Sequence, residues 1–345
     1  MVLKIAHIYA CNAKMNSGDF MIGKAYKKYF SEIVLNNQTT EFTDFDARNP
    51  TLYNDTNISK LNNYDYILVG GGGLILPDSA PNSVSCWQWI ISKNNIEKIH
   101  KPIYVSGIGF NLFYTQTILM PNRNNDFTDP RRLNIFKENI STLIEKSTKF
   151  TLRHRNDLET LLSIVGEQYR SKLEFEFCHT IWYANKYWKS PSILEGELTS
   201  DDKTIAIEIK DDRKQRRYYN TSESHVYSEL LKFVKYLQDN NYTVYYLSHD
   251  GSRSFYHYLT KHKINVKLLD NSKGNEKKIK ENYAKFNTIV CTAGHSQMIS
   301  YGLNKRIISL VTHPKVLNFC LDIENSDYVE VNKDKNIAQK LETLL

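Results

Sequence analysis

Two histidines and a lysine close to the end of this 345-residue chain stand where apolar runs give way to polar residues. The run from Asn287 to Lys315 reads as a buried strand, a tight turn, a short helix, a second buried strand and a polar loop. The turn puts Gly294, His295 and Ser296 at the start of a helix. Backbone N–H groups there lack intrahelical partners and favour an anion. The strand Ile307 to Val311 ends at Thr312, His313 and Lys315. In an open α/β sheet, ligands gather beyond the carboxyl ends of the strands. Imidazoles that titrate near neutral pH, beside a lysine and a helix start, suit anion binding coupled to proton transfer.

Other strand ends carry candidates of their own. Asn16, Ser17, Gly18 and Asp19 follow the first strand and precede a helix. Ser17 or Asp19 can cap that helix, and Asp19 can also accept a proton or hydrogen bond from a hydroxyl. Gly70, Gly71, Gly72 and Gly73 follow a second strand, and Gly107 and Gly109 follow a third, so the backbone there can approach a ligand or a neighbouring element closely. Arg153 and Arg155 end a strand and open a helix, with the fork geometry that pairs with phosphate or carboxylate. His249 is a further strand-end imidazole. No Walker lysine or GxGxxG spacing follows the glycines, Ser296 lacks a nucleophile elbow, and no His or Cys spacing suits a metal.

Strands alternating with helices must hold these residues. The pattern runs through strands at 3–9, 64–69, 102–106 and 149–153, with helices at 20–30, around 87–92, at 133–146 and at 157–164. A polar stretch at about 189–203 interrupts it, and the alternation then restarts at Thr204. Residues 111–132 lack periodicity and read as a functional loop or insertion. The simplest architecture is α/β, with two Rossmann-type domains, 1–190 and 191–345, whose parallel sheets face a central cleft. A net charge of +7 is spread in short runs such as Lys210 to Arg217, which argues against nucleic acid and for an anionic small molecule or membrane surface. Five cysteines without a CxxC pair point to a reducing, cytoplasmic setting. No run approaches the ~18 apolar residues of a membrane span.

The ordered set Asn16-x-Gly18-Asp19, the glycine-rich strand end, Ser106-Gly107-Ile108-Gly109, Arg155-Asn156-Asp157 and Gly294-His295-x-Gln297-Met298 resembles the polysaccharide pyruvyl transferase family. The likeness continues through Gly302, Ile308-Ser309-Leu310 and His313-x-Lys315, and covers the chain from about residue 5 to residue 320. It implies a GT-B-like fold, the first domain taking the acceptor and the second the donor. It implies phosphoenolpyruvate as co-substrate, no further cofactor, and a glycan or lipid-linked oligosaccharide acceptor, with peripheral association at the inner membrane face. By motif, His295 and Asp19 become the catalytic pair. Arg155 and Lys315, also matched by motif, would bind the donor; from their place at the strand ends Gly294, Ser296 and His313 would join them, and Asn16, Gly18, Gly71, Gly72 and Gly107 would form acceptor-side or cleft backbone. The segment 111–132 would cover the acceptor. One position departs. The family typically has Arg two positions before the late His, where this chain has Ala293. A charge-assisted contact worth about 1.5–3 kcal/mol is thereby removed. Two alternatives stay open: a glycosyltransferase of the same frame using a nucleotide-activated sugar, and an inactive glycan-binding relative.

Overall fold

Runs such as Ile67-Leu68-Val69 and Ile289-Val290-Cys291 are apolar on both faces and buried throughout, as strands covered by helices on two sides require. A computed structural model describes residues 2–11, 16–76, 82–113, 129–188, 203–272 and 274–345. They divide into two α/β units: Met1–Ala13 with Ile22–His179, and Lys14–Met21 with Thr180–Leu345.

The first unit holds a six-stranded sheet of order β2-β1-β3-β4-β5-β6. The strands are β1 (Leu3–Tyr9), β2 (Thr40–Asp46), β3 (Tyr66–Gly70), β4 (Ile103–Ile108), β5 (Ser147–Leu152) and β6 (Leu173–Phe175). Every pairing is parallel. Helices Pro130–Lys146 and Arg155–Val165 supply Phe136, Ile140, Leu161 and Leu162 to its core. The helix Ser17–Tyr29 lies close to the glycine-rich strand ends of this unit through Ile22 and Tyr26. A Cβ on Gly71 would collide with Ile22, and one on Gly107 with the Tyr26 hydroxyl. Gly71, Gly72 and Gly107 all have positive φ, so at Gly71 and Gly107 both the backbone and the packing demand glycine.

The second unit holds a six-stranded parallel sheet of order β12-β11-β10-β7-β8-β9. Its strands are β7 (Thr204–Glu208), β8 (Thr243–Ser248), β9 (Lys267–Asp270), β10 (Thr288–Cys291), β11 (Arg306–Val311) and β12 (Tyr328–Glu330). Counted from β7, the order is that of the dinucleotide-binding fold, and the direction of winding reverses between β7 and β10. Ligand sites form at the carboxyl ends of such a pair. Helix Glu223–Asp239 fills one face with Leu230, Phe233, Val234 and Leu237. Among the described residues no helix is long and apolar enough to cross a membrane.

Some sequence expectations move. Residues 87–92 are not helical: Trp87 and Trp89 are buried edge to face at 6.0 Å, Cys86 has φ +63°, and the Trp87 indole donates to Asn139 at 2.8 Å. The helix there is Lys93–Glu97, capped by Ser92. Edge strands β2 and β12 had no sequence signature. The helix expected at 133 begins at Pro130, because Asp129 caps it. Residues 114–128, most of the expected acceptor-covering segment, and 189–202, most of the expected link, lie outside the described residues. Gly71→Ala should destabilise the protein by on the order of 1–3 kcal/mol in urea unfolding, since it adds both strain and a clash.

Candidate functional site

At the switch point, Glu208 closes β7 beside Cys291 of β10. Its Oε2 accepts the backbone N–H groups of Thr292 at 3.0 Å and Ala293 at 2.9 Å. The turn that leads into helix Gly294–Gly302 is thus fastened by a carboxylate from the neighbouring strand. Glu208 is fully buried, and its Oε1 has no hydrogen-bond partner. Burial first, and then Asp250, push its carboxyl up to about 7 against the pull of Lys210.

Around it lies a charge network. Lys210 pairs with Asp250 at 2.7 Å and with Asp212 at 3.7 Å. Arg217, 1% exposed, holds Asp212 Oδ1 through Nη2 at 2.7 Å and Nε at 3.2 Å. The same guanidinium donates to Thr312 Oγ1 at 3.1 Å, beyond the end of β11. Burial opposes ionisation of Asp212, but Arg217, Lys210 and Lys315 hold its carboxyl well below the usual range. The network ties together the loops after β7, β8 and β11.

Against this rim lies the start of helix Ser17–Tyr29, whose first residues group with the second unit. Asn16 caps it, accepting the Gly18 N–H at 2.9 Å, and donates to Asp19 Oδ2 at 3.0 Å. The cap is therefore Asn16, not Ser17 or Asp19. Ser17 instead donates to the His249 carbonyl at 2.6 Å. Gly18 has no room for a side chain. A Cβ there would overlap the His295 ring and stand 2.9 Å from His249 Nε2. The two rings are nearly parallel, at 27°, with centroids 6.2 Å apart.

The second unit thus brings together Asn16, Gly18, Asp19, Gly294, His295 and Ser296, residues from opposite ends of the chain. His295 is half-buried and Ser296 fully buried, with its Oγ 3.3 Å from His249 Nδ1. The Lys315 side chain passes 3.9 Å from where a Gly294 Cβ would stand. His313 caps the helix Pro314–Asp322: it is 1% exposed, and its Nδ1 accepts the Lys315 N–H at 3.1 Å. Arg155 belongs to the first unit, exposed, with its guanidinium 4.4 Å from the Phe175 ring centre. Its neighbour Arg153 is buried and donates to Asn111 Oδ1 at 2.7 Å. Sequence reasoning missed Glu208, Lys210, Asp212 and Arg217. The signal was their place directly after an apolar strand, where a charge run reads as a solvated turn.

The sequence matches the family described as Polysaccharide pyruvyl transferase over residues 16–314, and the chain belongs to that family. No curated protein sequence matches it. Among solved structures, S. aureus MnaA, solved with UDP, superposes with a TM-score of 0.53 at 14% identity, over 99% of this chain and 88% of that one. A Methanocaldococcus jannaschii UDP-GlcNAc 2-epimerase in complex with UDP-GlcNAc and UDP gives 0.53 at 11% identity, over 99% and 93%. At these identities the likeness speaks for the fold, which is GT-B-like with two Rossmann-type units.

Two buried groups at the site contribute to the pH dependence of stability with opposite signs. The carboxyl of Glu208 titrates higher in the folded chain than in an unfolded one. Its contribution is full below the ordinary carboxylate range and is lost as pH rises through about 7. His249 has the opposite sign. Burial lowers its imidazole to about 4, so its contribution is present above the ordinary histidine range and is lost as pH falls toward 4. Glu208→Gln should remove the alkaline loss. Between about pH 5 and 8, denaturant unfolding should show the wild type losing on the order of 1–3 kcal/mol relative to the variant.

Proposed function

We propose that this protein moves the pyruvyl group of phosphoenolpyruvate onto two hydroxyls of a sugar as a cyclic ketal, releasing phosphate. The observation that carries this reading is the packing of Gly18, next to Asp19 in the chain, against His295 within the second unit, in a chain whose family is named for the transfer.

The chemistry needs one proton delivered to the methylene carbon and one removed from each attacking hydroxyl. His295 gives the first proton, generating cationic character at C2. A sugar oxygen bonds there and its proton passes to Asp19 or to the freed imidazole. The second hydroxyl then displaces the phosphate. The bond between C2 and the bridging phosphate oxygen breaks, and the hydroxyl proton leaves with the inorganic phosphate. Lys315 and the helix start at Gly294 hold the donor's anionic groups. Arg155 is a second donor-binding residue by family motif. The acceptor is a bacterial surface glycan, of capsule or exopolysaccharide type, or its lipid-linked precursor. The reaction is cytoplasmic, at the inner face of the membrane.

A second reading has an observation of its own. At Ala293, where the family typically carries Arg, the backbone N–H is bound by the Glu208 carboxylate. The turn is thus fastened by an internal carboxyl and carries no cation at this position, which suits a nucleotide-activated sugar less dependent on that contact.

Purified protein with phosphoenolpyruvate and acceptor glycan should release inorganic phosphate. His295→Ala and Asp19→Asn should each lower kcat by about 10²–10⁴-fold. Thermal stabilisation by a nucleotide sugar but not by phosphoenolpyruvate, with no phosphate released, would replace this reading with the second.

A further inference from the structure

His249 is 1% exposed, and its Nδ1 lies 3.1 Å from Ser17 Oγ and 3.3 Å from Ser296 Oγ. The Ser17 hydroxyl hydrogen is committed to the His249 carbonyl oxygen at 2.6 Å. Toward the ring, Ser17 therefore presents a lone pair. With Ser296 likewise accepting, Nδ1 carries the ring hydrogen and Nε2 is a bare acceptor. That Nε2 is buried without a hydrogen-bond partner. Leaving a buried polar atom unsatisfied is costly, so the arrangement calls for a use. The atom faces the corner at Gly18 that His295 Nδ1 also occupies. Two imidazoles, carried after different strands, converge on one backbone position.

We propose that His249 is a positioning residue for His295, its bare Nε2 facing the Nδ1–H of the protonated His295 ring and stabilising that form. The inference rests on the reading of His295 as the proton donor. His249 exchanges no proton with substrate. It raises the fraction of His295 that carries the proton the methylene carbon takes.

The groups facing His249 support a neutral ring. Asp250 follows it in the chain, Lys210 reaches it from the end of β7, Lys315 from the helix after β11, and Ser17 and Ser296 are the hydroxyls at Nδ1. Burial comes first and the two lysines add to it, while Asp250 opposes; the ring titrates at about 4 and so is neutral near pH 7. A second cation beside His295 would repel its imidazolium, whereas a neutral acceptor holds it.

Imidazole C–H resonances followed by NMR across pH, with no donor or acceptor present, test this directly. His249→Phe keeps a planar ring and removes both nitrogens. The His295 midpoint should fall by about one pH unit. His249→Gln, whose amide oxygen can accept, should return part of that shift. Ser17→Ala, a milder change that releases Nδ1 from its tautomer, should lower the midpoint less and serves if the Phe variant does not fold. An unchanged His295 midpoint in the folded variant overturns the proposal. Because no substrate takes part, a failure to release phosphate from phosphoenolpyruvate would count against the transfer reaction and leave this result standing.

Discussion

The absence of a Cβ at Gly18 lets the start of the first helix press directly on His295 and His249. Every other feature of the candidate site is arranged around that contact. Asn16 caps the helix and orients Asp19, Ser17 binds the loop after β8, and Ser296 meets the same imidazole from the far side. A methyl group at this one position would force apart elements that come from both ends of the sequence. Local hydrogen bonds then fix a geometry that the sheet alone leaves open.

Glu208 plays the corresponding part beneath the rim. Its carboxylate binds the two N–H groups that lead into helix Gly294–Gly302, so the turn is held from within the protein. The arrangement costs desolvation, and the raised titration of the group records that cost. The nearby pairs of Lys210 and Arg217 with Asp250 and Asp212 keep the local charge balanced. At Ala293 the turn is fastened through its backbone by this buried carboxyl and carries no cation of its own.

How much of this was legible in the sequence depended on whether a feature was local. Buried parallel strands announce themselves by continuous apolar runs, and β1, β3, β7, β8 and β10 were readable for that reason. Edge strands β2 and β12 expose part of their surface and lose the pattern. The stretch around Trp87 and Trp89 looked helical because a dense apolar run has no period that separates a helix from a packed irregular segment. Gly18, Asp19 and His295 were readable singly. The packing of Gly18 on His295 was not, since it joins residues far apart in the chain. Glu208 and Arg217 stayed hidden because a charged residue after a strand usually faces water, and only the topology shows that these two do not.

The grouping of Lys14–Met21 with Thr180–Leu345 has a consequence for how such a protein can be cut and recombined. The half that carries His295 is not one continuous piece of the gene. An exchange that swapped everything after residue 180 for a homologous half would bring in a new strand rim but keep the old Asn16–Asp19 turn. The two pieces would have to match at Gly18 before the hybrid could work. Lineages of this protein are therefore expected to inherit the Lys14–Met21 segment and the C-terminal half as a set, with the rest of the first unit freer to diverge.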